Sequence, residues 1–375
     1  MSGTRLLGAA LEPLDDYRRA ATRTSRLFIE LERQFPIVGF VQPVLVGRQD
    51  WTAKLRAFHP KRDAWRGRSW LSPQAFWHRT LIAERELRAR EGEFDLVFQL
   101  QTLFAPGLDP TRPYAIYTDN TYTLTERLYP AWAPLGKRAA HAWRELEQTT
   151  FRNARVVFGM SEWVCEAIVN DYGCDPERVV AVGAGANSVA TGVESRAYAR
   201  RIALFVGNKF ELKGVPTLLQ AWEIVRHRLP DAMLWIVGVD SRGPEAKWPT
   251  VEWFGYVSDR QRLEQLYEKA SLFVLPTQFE AFGHAVVEAM GNALPCVTTN
   301  VGALPEIVEE GVTGLLVPPR DPEALAAALI GLLSDSTRAE AMGQAGYAKV
   351  LDQLTWRGVA ARMGPHIEAA VAPHS

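Results

Sequence analysis

Short apolar runs alternate along this chain with longer amphipathic stretches. In the first half the runs are Leu6 to Leu11, Ile37 to Val41, Leu96 to Leu100, Tyr114 to Tyr117 and Val156 to Gly159, all of strand length. Between them, Tyr17 to Gln34 and Leu135 to Arg152 repeat their apolar positions at helical spacing. The alternation resumes after Asn187, with Ala203 to Val206, Met233 to Val237, Leu272 to Leu275, Cys296 to Thr298 and Leu315 to Val317 as strands. This order predicts parallel β/α units twice over, an α/β chain of two doubly wound domains. Gly183 to Tyr198, GAGANSVATGVESRAY, is rich in Gly, Ser and Ala without a sustained apolar period and is expected to be the join. A last helical pattern runs from Trp356 to Val371.

Length agrees, since 375 residues are many for one core and suit two domains of ordinary size. A net charge of −1 gives no bulk attraction to nucleic acid, and no such partner is expected. Cys165, Cys174 and Cys296 form an odd set without metal-ligand spacing, which points to a reducing, cytoplasmic setting. The run Leu6 to Leu11 ends at Glu12 and Pro13, too short for a signal segment, and no stretch approaches the ~20 apolar residues of a membrane span. One segment stands apart. Residues 48–90 combine an excess of Lys and Arg with Trp51, Phe58, Trp65, Trp70, Phe76 and Trp77. Three readings are open for it: peripheral contact with an anionic membrane face, a mobile acceptor-binding loop, or helices whose tryptophans are core.

The candidate chemistry lies mainly in Pro276 to Val308, PTQFEAFGHAVVEAMGNALPCVTTNVGALPEIV. A strand precedes it and a helix over Ala285 to Met290 follows Gly283, so Glu280 falls in the loop and Glu288 in the second turn. On one continuous helix, eight residues at roughly 100° each would leave the two carboxylates about 80° apart. With Glu280 in the loop, both can face a ligand at the helix start, where free N–H groups favour phosphate. Two glutamates at this spacing also occur on ordinary solvated helices, so context decides.

That context is a resemblance. Glu280, Phe282, Gly283 and Glu288, then Pro295, Gly302, Pro305, Glu306 and Gly314, look like the donor signature of the retaining glycosyltransferases of family 4. FVGNKFELKG at Phe205 to Gly214 and FGYVS at Phe254 to Ser258 extend the likeness. WRELEQTTFRNARVVFGMSEW and VVAVGAGAN, within Trp143 to Asn187, are similar to the family's interdomain region. Before about Phe94 little is similar. The resemblance implies a GT-B fold, two Rossmann-like domains facing each other across a cleft. Residues 1–186 would form the acceptor side and 187–356 the nucleotide-sugar domain, with 357–375 crossing back to the first.

The implied activity is transfer of a sugar from a nucleotide-diphosphate donor to an acceptor hydroxyl, as in hexosyl transfer, with the anomeric configuration retained. No opposite-face nucleophile is evident, so same-face attack is expected, with neither cofactor nor metal. The resemblance gives Lys213 the donor phosphates, Glu280 the sugar hydroxyls and Glu288 the ribose. N–H groups near Phe282, Gly283 and His284 would meet the diphosphate, and the backbone of Gly255, Tyr256 and Val257 the base. Gly207 and Asn208 open the lysine loop. Asn208 stands where the family commonly has arginine, leaving neutralisation to Lys213, the helix start or Lys209. Ala293 and Ala303 stand where glycine is frequent. Asp119 and Asn120, at the end of the PYAIY strand, are acceptor-side candidates or simple turn residues; His284 and Ser161 are first read as helix-start residues. A noncatalytic sugar-nucleotide binder, or an epimerase or phosphorylase on the same fold, is the alternative. Donor base, sugar and acceptor are not specified.

Overall fold

The computed structural model describes residues 3–14, 16–19, 22–60, 62–193, 196–240 and 248–372. The chain divides into two compact units, Met1–Gly183 with Trp356–Ser375, and Ala184–Thr355.

In the first unit the strands are β1 (Leu6–Ala9), β2 (Ile37–Val41), β3 (Leu96–Leu100), β4 (Tyr114–Thr118), β5 (Val156–Gly159) and β6 (Val179–Ala181). They form one parallel sheet in the order β2-β1-β3-β4-β5-β6. Helices α1 (Arg23–Glu32), α2 (Arg48–Arg56), α3 (Arg62–Trp70), α4 (Pro73–Arg88), α5 (Tyr122–Leu128), α6 (Lys137–Asn153) and α7 (Glu162–Tyr172) flank it. Strands covered on both faces must be apolar throughout, which is why LVF at Leu96–Phe98 and VVF at Val156–Phe158 are fully buried. The expected helix from Tyr17 begins only at Arg23, because Thr22 accepts the Ser25 N–H at 3.1 Å and caps it there. Ser161 caps α7 through the Val164 N–H at 3.2 Å, as read from sequence. Residues 48–90 form three helices. Phe76 is core, edge-on to Trp143 at 5.4 Å, but Trp51, Phe58, Trp70 and Trp77 are exposed and Trp65 is half-buried, so the tryptophans of this segment are not core residues.

The second unit carries β7 (Ile202–Val206), β8 (Met233–Val237), β9 (Val251–Gly255), β10 (Leu272–Leu275), β11 (Cys296–Thr299) and β12 (Gly314–Val317). Its helices are α8 (Val215–Arg228), α9 (Arg260–Lys269), α10 (His284–Met290), α11 (Leu304–Ile307), α12 (Pro322–Ser334) and α13 (Ser336–Gln353). All strands pair in parallel, in the order β9-β8-β7-β10-β11-β12. Counted within the unit this is 3-2-1-4-5-6, with the strand order reversing between β7 and β10. Helix α14 (Trp356–Val371) returns to the first unit and packs on α1. Gly364 permits that approach, since a Cβ there would lie 2.7 Å from the Gln34 side-chain oxygen. Arg362 donates to the Val182 carbonyl at 2.7 Å. Residues 194 and 195 of the expected join lie outside the described residues.

Candidate functional site

Ligands of open parallel sheets collect beyond the strand carboxyl ends where the strand order reverses. In the second unit that point is flanked by two loops, Gly207 to Gly214 after β7 and Pro276 to Gly283 after β10. The loops are stitched together. Gln278 donates its N–H to the Leu212 carbonyl at 2.8 Å, and the Thr277 hydroxyl donates to the same oxygen at 3.1 Å. Gly214 allows the approach, because its φ is +75° and a Cβ would lie 1.8 Å from the Pro276 carbonyl oxygen. Gly207 is less crowded, with the Phe205 ring 2.9 Å and the Lys213 Cγ 3.1 Å from where its Cβ would stand. Phe210 is buried and stacks on Trp253, anchoring the first loop from below.

Lys213 and Glu280 meet across this seam, Nζ to Oε2 2.6 Å, with side chains 18% and 13% exposed. Partial burial strengthens the attraction beyond that of a surface pair. Glu280 is held from behind by Gly302, φ +57°, whose absent Cβ would lie 1.9 Å from the Glu280 carbonyl oxygen. Gly283, φ +115°, opens α10, and the N–H groups of Val286 and Val287 are the first to bond back to its carbonyl. The N–H groups preceding them have no intrahelical acceptor, as at any helix start.

Glu288 lies in the second turn of α10, where its Oε1 accepts from Asn187 Nδ2 at 2.8 Å. The Asn187 carbonyl in turn accepts from Arg260 Nη2 at 2.7 Å. Burial, and next the charge of Glu288, push the Tyr267 hydroxyl well above its ordinary value. Asn187, Arg260 and Tyr267 are not among the residues singled out from sequence. Asn187 lies in VVAVGAGAN, which carried a resemblance but no role. Nothing in the helical pattern of α9 marks Arg260.

The other expected residues are scattered in exposure. Asn208 and Lys209 are exposed, Tyr256 is 81% exposed beyond Gly255, and Val257 is half-buried. Phe282 is core, so only its backbone is open to a ligand. His284 is half-buried with its ring 5.0 Å from that of Phe282. Ala293 adopts φ +52°, the left-handed region its glycine-like position implies, whereas Ala303 at φ −81° does not.

In the first unit, Asp119 accepts from Gln101 Nε2 at 2.8 Å and Asn120 donates to the Thr125 hydroxyl at 2.7 Å. Asp119 thus ties the end of β4 to the residue that follows β3, and Asn120 bonds within its own loop and the helix after it. Asn120 also lines a cavity of about 220 Å³ with Trp132 and Glu147. Glu147 accepts from Thr102, Tyr122 and Tyr172, yet burial outweighs those donors and pushes its carboxyl up to about 7.

Residues 200–335 match the family described as Glycosyl transferases group 1. An MMP alpha-(1->4)-mannosyltransferase of Mycolicibacterium hassiacum is 26% identical over 308 residues, 78% of this chain and 75% of that one. The O-antigen chain mannosyltransferase B of Escherichia coli is 33% identical over 168 residues, 41% of this chain and 42% of that enzyme. Among solved structures, sucrose-phosphate synthase from Thermosynechococcus elongatus superposes with a TM-score of 0.70 at 17% identity, covering 97% of this chain and 98% of that one. Anabaena HepE, solved with UDP and glucose, gives 0.62 at 13% identity, covering 98% and 100%. By its family match over residues 200–335 and these relatives, the chain is similar to the group 1 glycosyltransferases, and with two parallel sheets it has the GT-B fold of the solved structures.

Proposed function

We propose that the second unit holds a nucleoside-diphosphate sugar beyond the ends of β7 and β10, and that its sugar passes to an acceptor hydroxyl with the anomeric configuration retained and without a metal ion. The observation that carries this is the Lys213–Glu280 pair at the reversal of strand order, inside the segment that matches the family. Leaving of a nucleoside diphosphate builds negative charge on its phosphate oxygens. Lys213 is the cation for that charge, and the N–H groups from Gly283 onward are the fixed dipoles beside it. When the diphosphate claims the ammonium, the Glu280 carboxylate is released to accept hydrogen bonds from the sugar hydroxyls. Glu288, held by Asn187, takes the ribose. Anabaena HepE, with UDP and glucose bound, supports a donor of this class.

The tie between Lys213 and Glu280 also predicts how they fail. Removing one such electrostatic group costs about 10²–10³ in kcat. Donor hydrolysis or transfer should therefore fall by that factor in Lys213→Ala and in Glu280→Gln, with an unchanged circular dichroism spectrum. Full turnover by both folded variants would exclude the reading. We infer further that the protein works in the cytoplasm, with residues 48–90 meeting an anionic membrane face. Support comes from the three buried free cysteines and from the exposed aromatics of α2–α4. Among the described residues no helix is long and apolar enough to cross a membrane.

A further inference from the structure

The first unit leaves an apolar face unpartnered where its basic residues are concentrated. Helix α2 shows Trp51 and Leu55 to solvent and α4 shows Trp77 and Leu81, each pair four residues apart and so on one side of its helix. The opposite sides carry Ala53 on α2 and Phe76 and Ala83 on α4, all buried. Among the described residues, eight of the fifteen exposed large apolar side chains lie between Val44 and Leu81. Residues 48–90 hold eleven Lys and Arg against four Asp and Glu, although the whole chain is at −1. A face both apolar and cationic fits an anionic lipid surface, where Trp sits at headgroup depth and Lys and Arg meet phosphate.

Beside this face, between the end of α2, α3, the start of α4 and the start of α6, lies a cavity of about 690 Å³, within the range of small-ligand sites. Its walls include Phe58, Pro73, Leu135 and Ala139, and its cations are Arg68, Lys137 and Arg138. No described lining residue is acidic. Lys137 and Arg138 stand in the first turn of α6, where the helix dipole disfavours cations, and Gly136 offers that turn no side-chain cap. The positive field there is therefore undiluted. Arg68 is fixed, its Nε donating to the Pro134 carbonyl at 2.7 Å.

We propose that this cavity seats one anionic amphiphile of the bilayer, its apolar part against Phe58, Leu135 and Ala139 and its phosphate between Arg68, Lys137 and Arg138. An inorganic anion would leave the apolar walls wet, and a neutral lipid would leave the three cations without a counter-charge. The proposal rests on the membrane-face reading of residues 48–90 and is independent of the donor site. Its test has two arms.

In the first arm, isothermal titration with n-decyl phosphate below its critical micelle concentration should show saturable one-site binding. Ala139→Trp, which fills the cavity, and Lys137→Glu with Arg138→Glu, on exposed positions, should each weaken it at least tenfold while the melting temperature holds. In the second arm, wild type should co-sediment with phosphatidylglycerol-containing vesicles and not with phosphatidylcholine alone, and Trp51→Ser with Trp77→Ser should release it. Vesicle binding without saturable decyl phosphate binding overturns the cavity and spares the surface. Decyl phosphate binding without vesicle binding overturns the surface reading. Inorganic phosphate binding as tightly as decyl phosphate, or a dimer that Trp51→Ser and Trp77→Ser dissociate, would also overturn the proposal.

Discussion

Gly302 makes no contact with a ligand in the proposed arrangement, yet its replacement tests whether Glu280 is placed for chemistry. A Cβ at residue 302 would lie 1.9 Å from the Glu280 carbonyl oxygen, and real Cβ contacts are essentially never shorter than 3.0 Å. In Gly302→Ala the two backbones must therefore part by about 1 Å. The φ of +57° adds roughly 1–2 kcal/mol of left-handed strain. A displacement of about 1 Å at a catalytic group costs on the order of 10²-fold in rate. Gly311→Ala is the control, because its φ is +77° but a Cβ there meets nothing within 4 Å. Steady-state transfer kinetics and urea unfolding separate the effects. Both variants should lose about 1–2 kcal/mol of stability or somewhat more for Gly302→Ala, while only Gly302→Ala should lose about 10²-fold in kcat. Full kcat in folded Gly302→Ala would refute a catalytic placement of Glu280.

Two further outcomes follow from the same side chains. Asn187→Ala removes the donor that holds Glu288, and a hydrogen bond to a charged group is worth about 1.5–3 kcal/mol, so donor KM should rise about tenfold or more with kcat little changed. A loss confined to kcat would contradict the ribose role. Glu147 has its carboxyl raised from 4.5 to about 7 by burial, so the folded chain holds that proton more tightly than the unfolded one. Its contribution is fully present below about pH 4.5 and is lost as pH rises through 7, a difference of roughly 2–3 kcal/mol between pH 5 and pH 8. Glu147→Gln should remove that part of the slope in denaturant titrations, and parallel slopes would contradict the assignment.

Much of this fold is legible because strands covered on both faces must be apolar and helices between them must be amphipathic. Thus β3, β5 and β10 stand out as unbroken apolar runs. The three-residue edge strand β6 is too short to carry a pattern, and the start of α1 is set by the Thr22 cap rather than by periodicity. Glu280, Gly283 and Glu288 are readable as a unit because they are close in sequence. Asn187 and Arg260 are not, since they reach Glu288 from 101 residues away and through one another. The tryptophans of residues 48–90 show a different limit. Composition reveals how many there are, but only the helix packing decides that Phe76 turns inward and Trp77 outward.

The central claim is that the Lys213 ammonium, now paired with Glu280, is the cation for a nucleoside diphosphate. Calorimetric titration with UDP, GDP, ADP and their nucleosides tests it most directly, in wild type and in Lys213→Ala. One diphosphate should bind wild type, and the lysine variant should lose at least tenfold in its affinity while the matching nucleoside is unaffected. Equal affinity of the two proteins for that diphosphate, or no binding by any of the three, would contradict the account.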